Sequence, residues 1–293
     1  MKIVIPMSGA GTRFVKAGYE EPKSLLMVDG KPIIEHIVDM FPGEDDFIFI
    51  CNPEHLEKTN LREVLERIKP TGKIIEGEKH KKGPVYTVLP FLDEIGDDEQ
   101  VIVNYCDFGW DWDYEDFKRK MEETKCDGCV VAYKGYHPHH FGDTYYGYMR
   151  WDENNYMLEI REKEPFTNNR QEEYASSGTY YFRKGEFLKK YFKEVVDKDI
   201  NKYGEYFASL PYNPMVRDGL KVYIYEIPVF LQWGTPQDLE EYEAWSRHFL
   251  GEDKGKTSEP KGRKVDYEIK LEPGSEEYKE AEAYWAKYFE GKK

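Results

Sequence analysis

Cysteine is scarce in this chain, and long apolar runs are missing. The 293 residues include only 4 cysteines, too few for the disulfide framework of a small secreted protein, so we expect reduced and mostly buried thiols. No apolar stretch is long enough to span a bilayer, and residues 1–6 lack the apolar core and cleavage site of a signal peptide. The sequence therefore predicts a cytoplasmic protein without a membrane partner.

Positive charge is also in short supply. The chain has 42 lysines and arginines against 57 aspartates and glutamates, which gives a net charge of −15. This excess argues against a nucleic-acid partner and against non-specific binding to anionic membranes. An anionic ligand would need a local basic site. Aromatic residues, in contrast, reach 16% of the chain, a content that excludes a disordered protein.

Strand-like apolar runs alternate with amphipathic stretches through the first half of the chain. The strand-like runs are 3–5, 47–50, 101–103 and 130–132, and helical spacing occurs at 31–41, 56–68, 85–95 and 114–121. This alternation predicts an α/β fold with a mixed, mostly parallel sheet flanked by helices. Closely spaced strands at 145–182 then predict a β-rich insertion.

The composition changes abruptly after Leu250. Residues 251–264 hold almost no apolar side chain, which predicts an exposed polar linker. We therefore divide the chain into a main domain at 1–250, the linker, and a C-terminal appendage at 265–293.

The appendage should contain a strand at 265–271 and a helix that Ser275 opens. Tyr278, Trp285 and Tyr288 share one side of this helix, and such a stripe must dock on something. Its own domain and a neighbouring subunit are both within reach of the linker. We favour the second, a homo-oligomer closed by the appendage.

A glycine loop follows the first strand, in the order Gly9, Ala10, Gly11, Thr12, Arg13. Two glycines let backbone amides approach an anion, and the arginine adds a permanently charged, forked donor. The same pattern can be an ordinary tight turn. As a phosphate loop, however, it would satisfy the need for a local basic site.

Two common phosphate-binding motifs do not match this loop. The dinucleotide fingerprint needs a small residue where Phe14 stands. A P-loop would need glycines at the positions of Ala17 and Pro22. Neither a Rossmann cofactor site nor a P-loop is therefore predicted.

Two further segments complete a more specific pattern. Pro22-Lys23 precedes an apolar pair, and Gly30-Lys31-Pro32 precedes a helical stretch. With the glycine loop, in this order and spacing, the chain resembles the sugar-phosphate nucleotidylyltransferase family of nucleotide-sugar pyrophosphorylases. The resemblance extends to about Trp245 and implies the Rossmann-like fold of nucleotide-diphospho-sugar transferases, with a β-rich insertion on the acceptor side.

The resemblance implies an enzyme that couples a nucleoside triphosphate to a phosphorylated small molecule and releases pyrophosphate. The acceptor would be a sugar 1-phosphate or a similar precursor of a capsule or surface polysaccharide. Arg13 and Lys23 would be catalytic, because cations between two phosphates neutralise their charge. The nucleotide would contact Gly9, Ala10, Gly11, Thr12, Arg13 and Gly83.

The resemblance also implies a metal ligand and an acceptor site. Asp107 ends the segment 101–107, which begins with the apolar run at 101–103, and the family presents its Mg²⁺ ligand at the carboxyl end of such a strand. Mg²⁺ is therefore the expected cofactor. A strand-end aspartate can also be a simple cap or turn. The acceptor would contact Glu162, Lys163, Gly178 and Gln232, although Glu162 and Lys163 also suit a solvated hairpin.

Gln232 departs from the family pattern, in which an aspartate completes a two-carboxylate metal site. The metal would then be held by Asp107 with phosphates and waters, or by Asp107 with another carboxylate such as Asp111 or Glu205. Alternatively, the protein has lost catalysis. The departure brings the chain closer to capsule-associated cytidylyl- or uridylyltransferases with uncertain acceptors.

Two alternative functions stay open at this point. A nucleotide-sugar glycosyltransferase has a similar sheet and a strand-end aspartate motif, but it does not explain the glycine loop with Lys23. A non-catalytic nucleotide-binding homologue is suggested by Gln232 and the added tail. Cys126 and Cys129 have zinc-ribbon spacing without a second pair, and the histidine-rich stretch at 137–140 favours a loop that could contact the acceptor.

Overall fold

The structure, a computed structural model, describes residues 1–9, 11–138 and 145–292. Its strands are β1 (Lys2–Met7), β2 (Met27–Val28), β3 (Lys31–Pro32), β4 (Asp46–Cys51), β5 (Lys73–Glu76), β6 (Val101–Asn104), β7 (Phe108–Asp111), β8 (Gly128–Tyr133), β9 (Gly147–Trp151), β10 (Met157–Glu162), β11 (Tyr174–Phe182), β12 (Val222–Glu226) and β13 (Val229–Gln232). Its helices are α1 (Thr12–Lys16), α2 (Ile33–Asp39), α3 (Pro53–Lys58), α4 (Leu61–Ile68), α5 (Pro84–Val88), α6 (Tyr114–Thr124), α7 (Gly185–Asp197), α8 (Tyr212–Arg217), α9 (Pro236–Leu250) and α10 (Glu276–Phe289).

One mixed sheet organises the molecule. Its strand order is β10-β9-β11-β6-β1-β4-β5, with β8 paired to β11 and β12 paired to β8. The strands β6, β1, β4 and β5 run parallel, whereas β11 is antiparallel to β6, β8 and β9. The predicted mixed α/β sheet with a β-rich insertion is confirmed.

The central strand β1 shows why helices cover both faces of the sheet. Ile3 and Ile5 belong to one buried cluster, and Val4 belongs to the other. Successive side chains of a strand point to opposite faces, so an unbroken apolar run needs cover on each side.

Two predicted helices are broken in the structure. Thr59 has extended backbone angles and ends α3 before α4 begins. Helix α5 likewise gives way to a 3-10 turn over Leu89–Glu94, because Pro90 has no N–H to continue the α-helical bonding. In the described part of the chain, no helix is both long enough and apolar enough to cross a membrane.

The C-terminal segment differs from its prediction in two respects. The strand expected at 265–271 is wrong, because this stretch lies outside any β-ladder and has irregular structure. The exposure expected for residues 251–264 is also wrong in part, since the Lys254 side chain is only 1% exposed and pairs with Asp29 and Glu243. A polar side chain can be buried when opposite charges surround it.

The helix opened by Ser275 is confirmed as α10, with the Ser275 hydroxyl accepting the Tyr278 N–H. It packs on α9 and β13 of its own chain. Trp285 and Phe289 contact Tyr242 of α9, and the Tyr284 hydroxyl hydrogen-bonds to Phe230. The apolar stripe of α10, from which we predicted a subunit contact, is therefore covered by α9 and β13 of its own chain.

Truncating Trp285 tests this docking. Trp285 is 2% exposed, so Trp285→Ala should lower the free energy of unfolding by about 3–5 kcal/mol. The matched control Lys287→Ala, on the exposed side of α10, should change it by less than about 0.5 kcal/mol. Urea denaturation measures both. Equal effects of the two substitutions would contradict docking on the same chain.

Candidate active site

A cavity of about 470 Å³ lies where β1 and β6 end. The carboxyl ends of parallel strands form the usual ligand crevice of an open α/β sheet, and this volume suits a small ligand. Its wall includes residues of the glycine loop, the Lys23 segment, the β6–β7 connection, the insertion and the start of α9: Gly9, Gly11, Thr12, Arg13, Lys23, His55, His80, Lys81, Gly83, Tyr105, Asp107, Glu162, Lys163, Gly178, Glu205, Gly234, Thr235 and Asp238.

The glycine loop forms one end of the cavity. Gly11 has φ 58° and lies directly before α1, whose first amides lack partners within the helix. Thr12 and Arg13 are exposed and line the cavity. Phe14, in contrast, is buried against Tyr19 and anchors the loop. Ala10 lies outside the described residues.

Gly83 also lines the cavity and opens α5. Its φ is 87°, and a Cβ there would lie 2.8 Å from the carbonyl oxygen of Tyr206. Only glycine fits this position without strain. His55 and His80 also line the cavity, and burial lowers the pKa of each.

Lys23 and Asp107 meet at the floor of the cavity. The Lys23 Nζ lies 2.5 Å from Asp107 Oδ2, and the two side chains are only 22% and 12% exposed. Burial by itself would lower the pKa of Lys23, but the adjacent carboxylate outweighs it and holds that pKa above its usual value. The ammonium is therefore charged and fixed in direction.

Glu162 and Lys163 line the cavity from the end of β10. Ser209 donates a hydrogen bond of 2.5 Å to the Glu162 carboxylate, and burial raises the pKa of Glu162 to about 7. Lys163 adopts φ 56°, a left-handed conformation that is unusual for lysine. Its Nζ lies 4.8 Å from the centre of the Phe207 ring.

The charges on the cavity wall differ from those of the whole chain. Among the described residues of the wall there are four cations and four carboxylates: Arg13, Lys23, Lys81 and Lys163, and Asp107, Glu162, Glu205 and Asp238. The wall is thus neutral by this count in a chain of net charge −15. A local basic site for an anion, which the composition required, is present at the glycine-loop end.

Gln232 does not appear among the described residues of the wall. It ends β13 and is 4% exposed. Asp238 lines the cavity instead, and a hydrogen bond from the Gln232 side chain partly opposes the effect of burial on its pKa. Burial raises the pKa of Asp238.

The sequence pattern concealed Asp238. Thr235 caps α9 through a hydrogen bond from the Asp238 N–H, so the aspartate reads as an ordinary acidic residue in a first helical turn. The sequence analysis also did not identify His55, His80 and Lys81 as residues of the cavity wall. His80 and Lys81 could have been suspected because they are close to Gly83 in the chain, whereas His55 has no such signal.

Of the other candidate ligands, Glu205 lies on the cavity wall, whereas Asp111 and His137 do not. Asp111 is exposed at the end of β7 and borders a separate cavity with Trp112. His137 is 1% exposed, with its Nε2 3.0 Å from the Phe230 carbonyl oxygen, in the core rather than on the wall. Positions 139 and 140 are outside the described residues.

The cysteines are free thiols, and three of the four are buried, as expected. Burial raises the pKa of Cys126 and of Cys129. Among the described residues, no group of three or more histidine, cysteine, aspartate or glutamate side chains is arranged to hold a metal ion. Cys126 and Cys129 both pack in the buried core.

Comparison with known proteins decides the family. The family profile described as nucleotidyl transferase matches residues 2–209. This chain belongs to the nucleotidyl transferase family. The match includes most strands of the sheet and every described residue of the cavity wall up to Phe207. Most of the cavity wall therefore lies within the part of the chain that matches the family.

Curated relatives of this nucleotidyl transferase match it over shorter stretches. A 2-C-methyl-D-erythritol 4-phosphate cytidylyltransferase from Thermosipho africanus is 28% identical over 102 residues, and a UTP–glucose-1-phosphate uridylyltransferase from Bacillus subtilis is 29% identical over 119. These matches cover 34% and 33% of the present chain. The present chain spans only 43% and 41% of the lengths of these two relatives.

A solved structure shares the fold more extensively. A nucleoside-diphosphate-sugar pyrophosphorylase from Vibrio cholerae superposes with a TM-score of 0.66 at 23% identity. The superposition covers 80% of this chain and 97% of the other. At this identity the likeness concerns the fold, which is that of nucleotide-diphospho-sugar transferases.

The buried carboxyl of Glu162 gives a pH-dependent prediction. A pKa raised from 4.5 to about 7 means that the fold disfavours the ionised form, so this group costs stability as the pH rises from about 5 to 8. Glu162→Gln removes that cost. Its gain in unfolding free energy over wild type should grow by up to about 3 kcal/mol across this range.

Chemical denaturation at pH 5 and pH 8 measures the difference. Glu164→Gln is the matched control, because Glu164 is exposed and paired with Lys202 in the same segment. The control should show no comparable gain at high pH. A pH-independent effect of Glu162→Gln would contradict the raised pKa.

Proposed function

We propose that this nucleotidyl transferase couples a nucleoside triphosphate to a phosphorylated small molecule and releases pyrophosphate. An acceptor phosphate oxygen would attack the α-phosphorus in line, and the bond to the β-phosphate bridge would break. The observation that carries the proposal is the joint position of Arg13, Lys23 and Asp107 on one cavity wall at the end of the parallel strands. The family membership supports it.

Each end of the cavity suits one substrate. At the glycine-loop end, Gly11, Thr12 and Arg13 would bind the triphosphate through backbone amides and the guanidinium. Lys23 would lie near the reacting phosphates, where a fixed ammonium stabilises the charge of the transition state. Gly83 would face the base, whose identity among cytosine, uracil, thymine or another base is left to experiment.

The other end suits a small polar phosphate ester. Lys163 would bind the acceptor's phosphate, and the Glu162 carboxyl would accept or donate hydrogen bonds to its hydroxyl groups. A Cβ at Gly178 would lie 3.0 Å from the ring of Phe108, so glycine allows this close packing. The names of the curated relatives, a 2-C-methyl-D-erythritol 4-phosphate cytidylyltransferase and a UTP–glucose-1-phosphate uridylyltransferase, support a phosphorylated small molecule such as a sugar 1-phosphate as the acceptor.

Mg²⁺ fits the oxygen donors of this cavity. Asp107 and Asp238 both line it. Mg²⁺ prefers such hard oxygen ligands and completes its shell with phosphates and waters. We propose that Asp107 holds the ion and that Asp238, rather than residue 232, is the second carboxylate. The ion would neutralise charge on the phosphates.

The alternative functions have less support. A glycosyltransferase would not require Arg13 and Lys23 beside the cavity, and a non-catalytic homologue would not require a charged lysine held at its floor. Pyrophosphate release distinguishes the proposed function from both alternatives. The experiment is a screen of four nucleoside triphosphates with Mg²⁺ against sugar 1-phosphates and amino-alcohol phosphates, with each substrate alone as the control.

Cytoplasmic location, a role in capsule synthesis and a homo-oligomer remain predictions. The apolar side of α10, which suggested an oligomer, packs on α9 of the same chain. An oligomer would therefore have to use another surface. Light scattering of the whole protein measures its mass directly.

Removing either cation should slow turnover without unfolding the protein. Arg13→Ala and Lys23→Ala should each lower kcat by at least ~100-fold, because preorganised charge at a transferring phosphoryl group has about this effect. The matched control is Lys16→Ala, an exposed cation of α1 that is not on the described cavity wall. Unchanged turnover in both cavity variants would contradict the assignment of the phosphate site.

The carboxylate assignment is tested by amide substitutions. Asp107→Asn should abolish most Mg²⁺-dependent activity, and Asp238→Asn should raise the Mg²⁺ concentration needed for half-maximal rate, because an amide keeps the shape but not the charge. Asp111→Asn should behave as wild type. A metal titration of pyrophosphate release measures all three. If only the Asp111 variant had an altered Mg²⁺ titration, the ion would be assigned to Asp111, at the far end of β7 from Asp107.

A further inference from the structure

Residues 254–261, here called the C-terminal strap, run along the segment that carries Lys23. The strap accepts a hydrogen bond of 3.1 Å from Gly30 N–H at Lys256 O and donates one of 2.8 Å from Lys261 N–H to Gly18 O. Between these points, Ser258 N–H donates to Met27 O at 3.0 Å, and the Ser258 hydroxyl accepts the Met27 N–H at 2.8 Å. The strap therefore holds the Lys23 segment on both sides of the lysine.

A buried charge cluster anchors the strap at its start. Lys254 Nζ lies 2.6 Å from Asp29 Oδ1 and also pairs with Glu243. Asp29 accepts further hydrogen bonds of 2.6 Å from the hydroxyls of Tyr242 and Ser246 in α9. Breaking such a buried pair is costly, so the cluster ties the turn after β2, the strap and α9 into one unit.

The tail also braces the Asp107 side of the ion pair. The Tyr284 hydroxyl of α10 bonds to both the N–H and the carbonyl of Phe230, each at 2.8 Å. Three residues later in the chain, Trp233 N–H donates to the Asp107 carbonyl at 3.1 Å. The two partners of the ion pair are thus each supported from residues beyond 250.

From these contacts we infer that the C-terminal strap is a positioning element that fixes Lys23 against Asp107 for phosphoryl chemistry. The contacts given above join the strap to the segment 18–30 and to α9, and none of them involves a charged group of the described cavity wall. The strap would therefore act on Lys23 through the segment 18–30. The kinetic test of this inference rests on the proposed function. The strap itself lies outside the residues 2–209 that match the family.

A pair of glycines gives a matched test. Gly255 has φ 117°, and a Cβ there would lie 2.7 Å from Gly30 N and 2.8 Å from its Cα. Gly262 also has a positive φ, 72°, but a Cβ there would meet nothing within 4 Å. Both alanine substitutions strain the backbone of the tail, and only Gly255→Ala pushes the strap off the turn.

Steady-state kinetics should separate the two variants. Gly255→Ala should lower kcat by about 10- to 100-fold, since a misplacement of about 1 Å can have this effect. The KM for the nucleoside triphosphate should change by less than about threefold, because the glycine loop is not moved. Gly262→Ala should match wild type. Ser258→Ala, which introduces no clash, should lower kcat in the same direction if Gly255→Ala folds poorly.

A double-mutant cycle shows whether the effect passes through Lys23. In a Lys23→Ala background, Gly255→Ala should cause no further loss of kcat, because the group that it misplaces is already absent. An equal loss in both backgrounds, or a change in KM alone, would overturn the inference. A purely structural role of the strap predicts the additive result.

A second readout does not depend on turnover. Acylation of Lys23 by a soluble amine reagent, followed by peptide mass spectrometry, should be faster in Gly255→Ala than in wild type and Gly262→Ala, because a loosened ion pair exposes the amine. An unchanged rate would overturn the inference. If wild type releases no pyrophosphate with any substrate pair, the proposed function fails, and this labelling result still decides whether the strap positions Lys23.

Discussion

The ion pair between Lys23 and Asp107 is the interaction on which the cavity depends. It joins two segments that are 84 residues apart in the chain, one leading from the glycine loop and the other from the end of β6. Both side chains are mostly withdrawn from water, so either one alone would be an uncompensated charge. The ion pair therefore fixes the position of the Lys23 segment relative to the end of β6.

The pair also explains how an acidic protein can present a site for anions. The ammonium of Lys23 stays charged because Asp107 compensates its burial, and Arg13 adds an exposed guanidinium at the same end. The carboxylates are distributed differently. Glu162 lies at the acceptor end and is neutralised in part by its raised pKa, which limits repulsion of a phosphate ester.

Much of this arrangement could be predicted from local patterns. The apolar runs predicted the parallel strands, and the order of glycine loop, Pro22-Lys23 and Gly30-Lys31-Pro32 predicted that the loop and the lysine belong to one site. Asp107 was found because it follows a buried strand. Asp238 was not found, because its position in a first helical turn has a sufficient local explanation in the Thr235 cap.

Long-range contacts decided the rest. The polar composition at 251–264 predicted exposure, yet Lys254 is buried because Asp29 and Glu243 converge on it from elsewhere in the chain. The apolar stripe of α10 determined that this helix must dock, but not where. Likewise, the sequence has a glutamine at position 232, where the family resemblance implies an aspartate. Only the complete fold places Asp238, and not Gln232, among the described residues of the cavity wall. Period, cap and motif are local properties that a sequence determines by itself. The partners of a buried charge depend on segments brought together only by the complete fold.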